Sequence, residues 1–138
     1  MPAKDRIFKM IKNALIKDGW AITHEPYRIR YESDTLYTDL GAEKTLAAER
    51  DGTLIAVEVK SFLGDSPLRD FEEALGQYNV YLAVMRTVDP DRKLFMAVSD
   101  ATFSDVFGRP AVRLALQQFP VAILVVDIVS EEVVQWIP

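Results

Sequence analysis

The fold is decided by one stretch of the chain, Thr53-Leu54-Ile55-Ala56-Val57-Glu58-Val59-Lys60-Ser61-Phe62. It is apolar and β-branched and follows Asp51-Gly52, which predicts a strand. In a strand, side chains two residues apart leave the same face, roughly 6.7 Å apart. Glu58 and Lys60 therefore project together, and Ile55, Val57 and Val59 project the other way. Burying such charges is costly unless they are paired or bound. The pair is either a partly exposed ion pair or a metal-binding carboxylate beside a lysine that serves an attacking water.

A hairpin is predicted around this strand, because Asp-Gly between two extended runs is a strong turn signal. Residues 36–50 form the preceding extended segment, interrupted at Gly41. Counting from the turn gives the facing pairs Arg50–Thr53, Glu49–Leu54, Ala47–Ala56, Thr45–Glu58 and Glu43–Lys60. Facing residues share a face, so Glu43 should cluster with Glu58 and Lys60. Asp39 has the same parity but lies about 13 Å beyond Glu43, and it joins only if the chain bends at Gly41. Glu49, near the turn, is expected to be solvated.

The other elements follow from periodicity, turn residues and caps. Helices are predicted over residues 4–17, 67–86, 101–107 and 111–119, the second capped by Asp65 or Ser66. Further strands are predicted over residues 20–24, 27–31, 94–98, 121–126 and 133–137. This order predicts one domain over residues 1–138, with a mixed central sheet flanked by helices: α/β, or α+β if the sheet is mainly antiparallel.

The helix after the central strand carries two stripes of residues. A core-facing stripe is predicted from Leu68, Phe71, Leu75, Tyr78, Leu82 and Met85. Beside it lie Ala74, Gln77, Tyr81 and Val84, in which Gln77 and Tyr81 are four apart and project side by side. These two residues either mark the border between buried and solvated faces or contribute to a site.

Composition limits the classes of function. The 16 basic and 21 acidic residues give a net charge of −5, which argues against binding nucleic acid by charge alone. With no cysteine, a metal site must use oxygen ligands or the single histidine, His24. His24 is expected to be an ordinary half-buried or hydrogen-bonded residue rather than a ligand, because one histidine makes no cluster. We expect a soluble, cytoplasmic protein, because no signal peptide begins the chain and no apolar run is long enough to span a bilayer.

An acid on one hairpin strand, Glu-x-Lys on the next and a following helix resemble the P-D-(D/E)-x-K nuclease superfamily. Gln77 and Tyr81 resemble the Gln-x-x-x-Tyr motif that follows the catalytic strand in RecB-type nucleases. The resemblance implies a restriction-endonuclease-like fold and hydrolysis of DNA with Mg²⁺ or Mn²⁺. A metal held by carboxylates supplies a nucleophilic water and neutralises phosphoryl charge.

A closer resemblance covers nearly the whole chain. It lies in Thr23-His24-Glu25-Pro26-Tyr27, Asp39-Leu40-Gly41-Ala42-Glu43-Lys44, Ala48-Glu49-Arg50, residues 55–62 and Ala74-Leu75-Gly76-Gln77-Tyr78. These segments are similar to the XisH family, the fdxN element excision controlling factors. The family implies a role in excising a DNA element, together with a site-specific recombinase and a companion factor, XisI.

The resemblance implies a site of Asp39, Glu43, Glu58, Lys60 and Gln77, with Asp39, Glu58 and Val59 at the metal. Thr45 occupies the position opposite Glu58, so the first metal ligand is Glu43 by register or Asp39 by a bend. Lys60 is the predicted catalytic lysine, and Gln77 supports the site or contacts phosphate. Three classes remain open: a Mg²⁺-dependent endonuclease, a non-catalytic regulator that keeps the fold, and an α/β binding domain with a Glu58–Lys60 ion pair. Cutting both DNA strands requires two sites, so we also expect a homodimer or a partner-dependent protein.

Overall fold

A computed structural model describes residues 3–36 and 45–138. Its helices are α1 (Ala3–Lys17), α2 (Pro67–Val88), α3 (Asp100–Val106) and α4 (Pro110–Gln118). Its strands are β1 (Ala21–His24), β2 (Ile29–Tyr31), β3 (Asp34–Leu36), β4 (Thr45–Arg50), β5 (Thr53–Val59), β6 (Arg92–Ser99), β7 (Ile123–Asp127) and β8 (Glu132–Ile137). Among the helices in these two ranges, none is long and apolar enough to cross a membrane.

The main sheet has six strands in the order β1-β4-β5-β6-β7-β8. The pairs β5–β6 and β6–β7 are parallel, and the β1–β4, β4–β5 and β7–β8 pairs are antiparallel. Parallel neighbours need crossover connections, which α2 and then α3 and α4 provide. Strands β2 and β3 form a separate antiparallel hairpin. The mixed α+β architecture confirms the predicted fold class.

The β4–β5 hairpin has the predicted register. Thr45 pairs with Glu58, Ala47 with Ala56 and Arg50 with Thr53. Asp51 and Gly52 have φ values of 51° and 82°, as a two-residue hairpin turn with positive φ at both central positions requires. Gly41, where the chain would have to bend for Asp39 to join Glu58, lies outside the described residues.

The alternation along β5 divides the protein into two apolar cores, one on each face of the sheet. Ile55, Val57 and Val59 pack in the core that α1 covers. Ala56 lies in the other core, to which α2, α3 and α4 contribute buried residues. Strands β6 and β7 contribute buried side chains to both cores, which confirms that these apolar runs are covered on two sides.

Strand β5 is shorter than predicted, because it ends at Val59 rather than at Phe62. Lys60 still follows the ladder, with its backbone N–H donating to the Ala97 carbonyl at 3.0 Å. Phe62 has a φ of 55°, which a strand does not accommodate, and the chain turns there towards α2.

The core-facing stripe of α2 was predicted wrongly in part. Its buried residues are Phe71, Ala74, Tyr78, Tyr81 and Met85, whereas Leu68 is 38% exposed. Leu75 and Leu82 are only partly buried at the edge of the core. Tyr78 lies between the two sides of the helix, and its hydroxyl bonds to the backbone of Leu94 and Ala122. With Tyr78 held there, the buried side includes Ala74 and Tyr81 from the second stripe.

Candidate active site

Glu58 and Lys60 lie near the carboxyl end of β5, on the face covered by α2. Glu58 has no exposed surface, and Lys60 is 8% exposed. The strand is central in the sheet, between β4 and β6, so neither side chain can reach solvent along the sheet edge. Both charged residues have neighbours on α2, Gln77 for Lys60 and Tyr78 for Glu58, and they therefore share the face of the sheet that α2 covers, as predicted.

Lys60 contacts α2 through a hydrogen bond from its Nζ to Oε1 of Gln77. This contact brings together two residues that the sequence analysis assigned to one site from separate motifs. An amide oxygen is a neutral acceptor, so Gln77 orients the ammonium group without cancelling its charge. Tyr81, one turn further along α2, is 4% exposed and belongs to the same buried face.

Glu58 influences Tyr78, the residue after Gln77 on α2. Burial is the largest cause that raises the pKa of the Tyr78 phenol, the hydrogen bond with Ala122 opposes it, and the negative charge of Glu58 raises the pKa further. The carboxylate is thus close enough to α2 for its charge to act on that helix. On the hairpin side, Glu58 faces Thr45, which is 1% exposed.

Local sequence explains why α2 presents Gln77 to the strand. Ser66, one of the two predicted caps, accepts a hydrogen bond from the Arg69 N–H at 3.2 Å, and Pro67 occupies the first turn. The Tyr78 hydroxyl donates to the Leu94 carbonyl and accepts from the Ala122 N–H, both at 3.1 Å. These bonds attach α2 to β6 and to the residue before β7, which fixes the helix beside Lys60.

The two predicted acids Asp39 and Glu43 lie outside the described residues. Within residues 3–36 and 45–138, no three His, Asp or Glu side chains are grouped so as to hold a metal ion. Glu58 offers the oxygen ligands that Mg²⁺ prefers. The side chain of Val59 packs in the opposite core, so only its main-chain carbonyl is available to a metal.

One contributor to the site was missed. Helical periodicity predicts Tyr78 only as a core residue, whereas its hydroxyl attaches the helix that carries Gln77. A tyrosine inside an otherwise apolar stripe was the available signal, since a buried phenol needs a hydrogen-bond partner. Of the two alternatives expected for His24, the hydrogen-bonded one is confirmed, because its Nδ1 lies 3.0 Å from the Thr23 hydroxyl, and the half-buried one is wrong, because the residue is exposed.

These features define a mixed α+β protein in which an acidic residue and a lysine of one strand region lie beneath a helix that contributes a glutamine. The sequence model described as XisH protein matches residues 1–134. The chain belongs to the XisH family.

Two crystal structures support this membership. An XisH family protein from Nostoc punctiforme PCC 73102 is 37% identical, with a TM-score of 0.89, and the match covers 97% of this chain and 100% of that one. A fdxN element excision controlling factor protein from Anabaena variabilis is 39% identical, with a TM-score of 0.88, and the match covers 97% and 99% of the two chains. No curated protein matches the chain significantly.

Proposed function

We propose that this chain is a DNA-element excision controlling factor that works as a Mg²⁺- or Mn²⁺-dependent DNA endonuclease. The carrying observation is the hydrogen bond between Lys60 and Gln77 on the face of β5 that also holds Glu58. The name of the Anabaena variabilis relative, 39% identical over 97% of this chain, supports the excision role. The restriction-endonuclease-like fold and its P-D-(D/E)-x-K chemistry are part of the same proposal.

Each residue has a distinct role in this proposal. Glu58, the Val59 carbonyl and either Asp39 or Glu43 hold the metal ion. When bound, the ion supplies an acidified water and neutralises charge on the phosphate. Lys60 donates to the attacking water or to the phosphoryl oxygens, and Gln77 holds its ammonium group in place.

The net charge of −5 bears on how DNA reaches the site. Non-specific DNA binding draws on several Lys and Arg contacts to phosphates, and an acidic chain opposes such binding. We therefore propose that a XisI-like companion and a site-specific recombinase deliver the DNA, or that a homodimer forms the binding surface.

A second candidate function is a regulator that keeps the fold without cleaving DNA. Burial favours it, because Glu58 is 0% exposed and Lys60 8% exposed, whereas a substrate phosphate must reach both groups. In that case Glu58, Lys60 and Gln77 stabilise the protein interior. The chain then controls excision through contacts with other proteins.

Nicking of supercoiled DNA separates the two candidates. Purified chain is assayed with Mg²⁺ or Mn²⁺, with and without a purified XisI-like companion. For the endonuclease, Lys60→Ala should lower the cleavage rate by about 100-fold or more, since one electrostatic donor to the transition state is lost. Lys9→Ala is the matched control, because Lys9 is exposed on α1.

Two results would count against the endonuclease. Cleavage that survives Lys60→Ala would identify a contaminating nuclease. An absence of cleavage under every metal and partner condition, together with excision that the Lys60→Ala protein still supports, would establish the regulator.

A further inference from the structure

A second concave site lies on the other face of the sheet, at the starts of β5 and β6. Its lining comprises Trp20, Arg50, Ile55, Lys93, Phe95 and Trp136, with Thr53 at one side, and its volume is about 190 Å³. Glu58 lies near the opposite end of β5 and projects from the opposite face. This aromatic pocket is therefore separate from the candidate active site, and its role is independent of the proposed function.

Three aromatic rings shape the aromatic pocket. The ring centroids of Trp20 and Trp136 are 5.7 Å apart, and Phe95 meets Trp136 edge-on at 4.9 Å. Such contacts hold the rings in place and present rigid apolar walls. An apolar cavity of about 150 Å³ accommodates a benzene-sized group, so the pocket is large enough for one apolar side chain.

Two cationic side chains, Arg50 and Lys93, border the aromatic pocket, and their partners differ. The Arg50 guanidinium lies 4.6 Å from the Trp20 ring centroid and donates to the Asp18 carboxylate at 2.9 Å, which partly neutralises its charge. The Lys93 ammonium lies 5.2 Å from the Phe95 ring centroid, on an exposed side chain. Among the described residues, Lys93 forms no salt bridge, so its positive charge is available to a ligand.

We propose that the aromatic pocket receives a large apolar side chain of a partner polypeptide, with a neighbouring carboxylate of that partner at Lys93. Buried anchors of this kind, seated in well-packed pockets, carry most of the energy of protein interfaces. The opposite charges of Lys93 and the carboxylate orient the partner segment on the pocket.

Other ligand classes fit the aromatic pocket less well. A nucleobase also carries N–H donors, and the Thr53 hydroxyl is the one side-chain acceptor in the described lining, because Arg50 and Lys93 only donate; those N–H groups would lose hydrogen bonds. A cationic ligand would meet Arg50 and Lys93, which already lie against two of the rings.

The test uses the two tryptophans, which are the only ones in the chain and both line the aromatic pocket. Their two indole N–H resonances report occupancy directly in an NMR titration of the full chain. The capped dipeptide Ac-Leu-Glu-NH₂ should shift both resonances at millimolar concentration. Ac-Leu-Gln-NH₂ should bind about two- to fivefold more weakly, since an exposed ion pair contributes little, and Ac-Ala-Glu-NH₂ should cause no shift.

Two variants locate the interaction. Lys93→Gln should abolish the preference for the glutamate peptide, whereas Lys9→Gln, an exposed lysine on α1, should keep it. Thr53→Phe should block the aromatic pocket and abolish both shifts, because Thr53 is exposed beside the cavity and phenylalanine suits a strand.

Any of three results would overturn the proposal. The first is equal binding of the leucine and alanine peptides, or no shift with any peptide. The second is tighter binding of adenosine monophosphate than of Ac-Leu-Glu-NH₂. The third is a wild-type dimer in sedimentation velocity that Thr53→Phe converts to a monomer, because a second copy of this chain would then be the occupant.

Discussion

At the scale of single residues, Tyr27, Asp89 and Arg92 form a polar cluster at the end of β6 away from Glu58. The Tyr27 hydroxyl donates to the Asp89 carboxylate at 2.6 Å, and the Arg92 Nε donates to the same oxygen at 2.8 Å. Arg92 also donates to the Ile55 carbonyl at 3.0 Å. The cluster thereby joins the loop after β1, the end of α2 and two sheet strands.

The cluster shifts the ionisation of two of its members. Burial, followed by the hydrogen bond to Asp89 and that residue's negative charge, raises the pKa of Tyr27 to about 12. At Asp89, burial alone would raise the pKa of the carboxyl group. The hydrogen bonds from Tyr27 and Arg92 outweigh burial, and the pKa is lowered. Asp89 therefore adds stability above its unfolded-state pKa of about 3.9, and this stability is lost as the pH falls through the folded value.

Tyr27→Phe gives a prediction with a defined pH window. A raised phenol pKa contributes stability that is complete below the unfolded value of about 10 and is lost as the pH rises through about 12. At neutral pH the variant should be less stable by about 1.5–3 kcal/mol, because a hydrogen bond to a charged group is lost. In urea unfolding, this difference from the wild type should shrink above about pH 10.

Tyr31→Phe is the control for that experiment, since Tyr31 is 42% exposed. It should follow the wild type at every pH. A difference between Tyr27→Phe and wild type that stays constant to the alkaline end of the titration would contradict the assignment of this pH dependence to Tyr27.

At the scale of elements, α2 connects the parallel strands β5 and β6 and carries Gln77, the partner of Lys60 in the candidate site. Tyr78 is its attachment, bonded to the Leu94 carbonyl and the Ala122 N–H. Both backbone groups belong to buried residues. Losing the phenol leaves them without this partner, and unsatisfied buried polar groups are costly.

Tyr78→Phe should therefore lower the free energy of unfolding by about 1–3 kcal/mol. The urea midpoint should fall while the slope m stays unchanged, because the surface exposed on unfolding is the same. Tyr31→Phe again serves as the exposed control. A midpoint unchanged in Tyr78→Phe would show that these two hydrogen bonds add no net stability.

The sequence determined the β4–β5 hairpin more closely than it determined α2. In the hairpin, a two-residue turn and strict alternation leave one register, so the pairing of Thr45 with Glu58 was correct. In α2, Leu75 and Leu82 on one side of Tyr78 and Ala74 and Tyr81 on the other are all compatible with burial. Tertiary contacts, such as the Tyr78 hydrogen bonds, determine which of the two sides is buried. Helical periodicity alone cannot predict these contacts.

The candidate site was also predictable only in part. Glu58 and Lys60 share a face by strand periodicity, and the Lys60–Gln77 contact agrees with the residues chosen from two motifs. The choice between Asp39 and Glu43 was open from the sequence, because it depends on a bend at Gly41, and both acids lie outside the described residues. The aromatic pocket was not foreseen, since its lining comes from five separate segments of the chain.

At the scale of the whole molecule, the sheet separates two sites of different character. One face holds Glu58 and Lys60 with Gln77 of α2 against them, and the other face holds the aromatic pocket. An acidic chain that acts on DNA through partners would use one face for the nucleic acid and the other for a polypeptide. A homodimer remains a prediction that light scattering across a range of concentrations tests.

Metal binding is testable on the whole molecule without any DNA. If Mg²⁺ or Mn²⁺ binds the folded chain only, it stabilises by mass action, by about 2.7 kcal/mol at a hundredfold excess over Kd. The melting temperature should rise with metal concentration in wild type and in Lys60→Ala, since the lysine serves water and phosphate rather than the metal. Glu58→Gln should abolish the rise, because it removes a charged oxygen ligand. Glu49→Gln, at an exposed position in β4 of the same hairpin, should keep it. A metal-induced rise of equal size in Glu58→Gln would place any bound ion elsewhere and remove Glu58 from the proposed metal site.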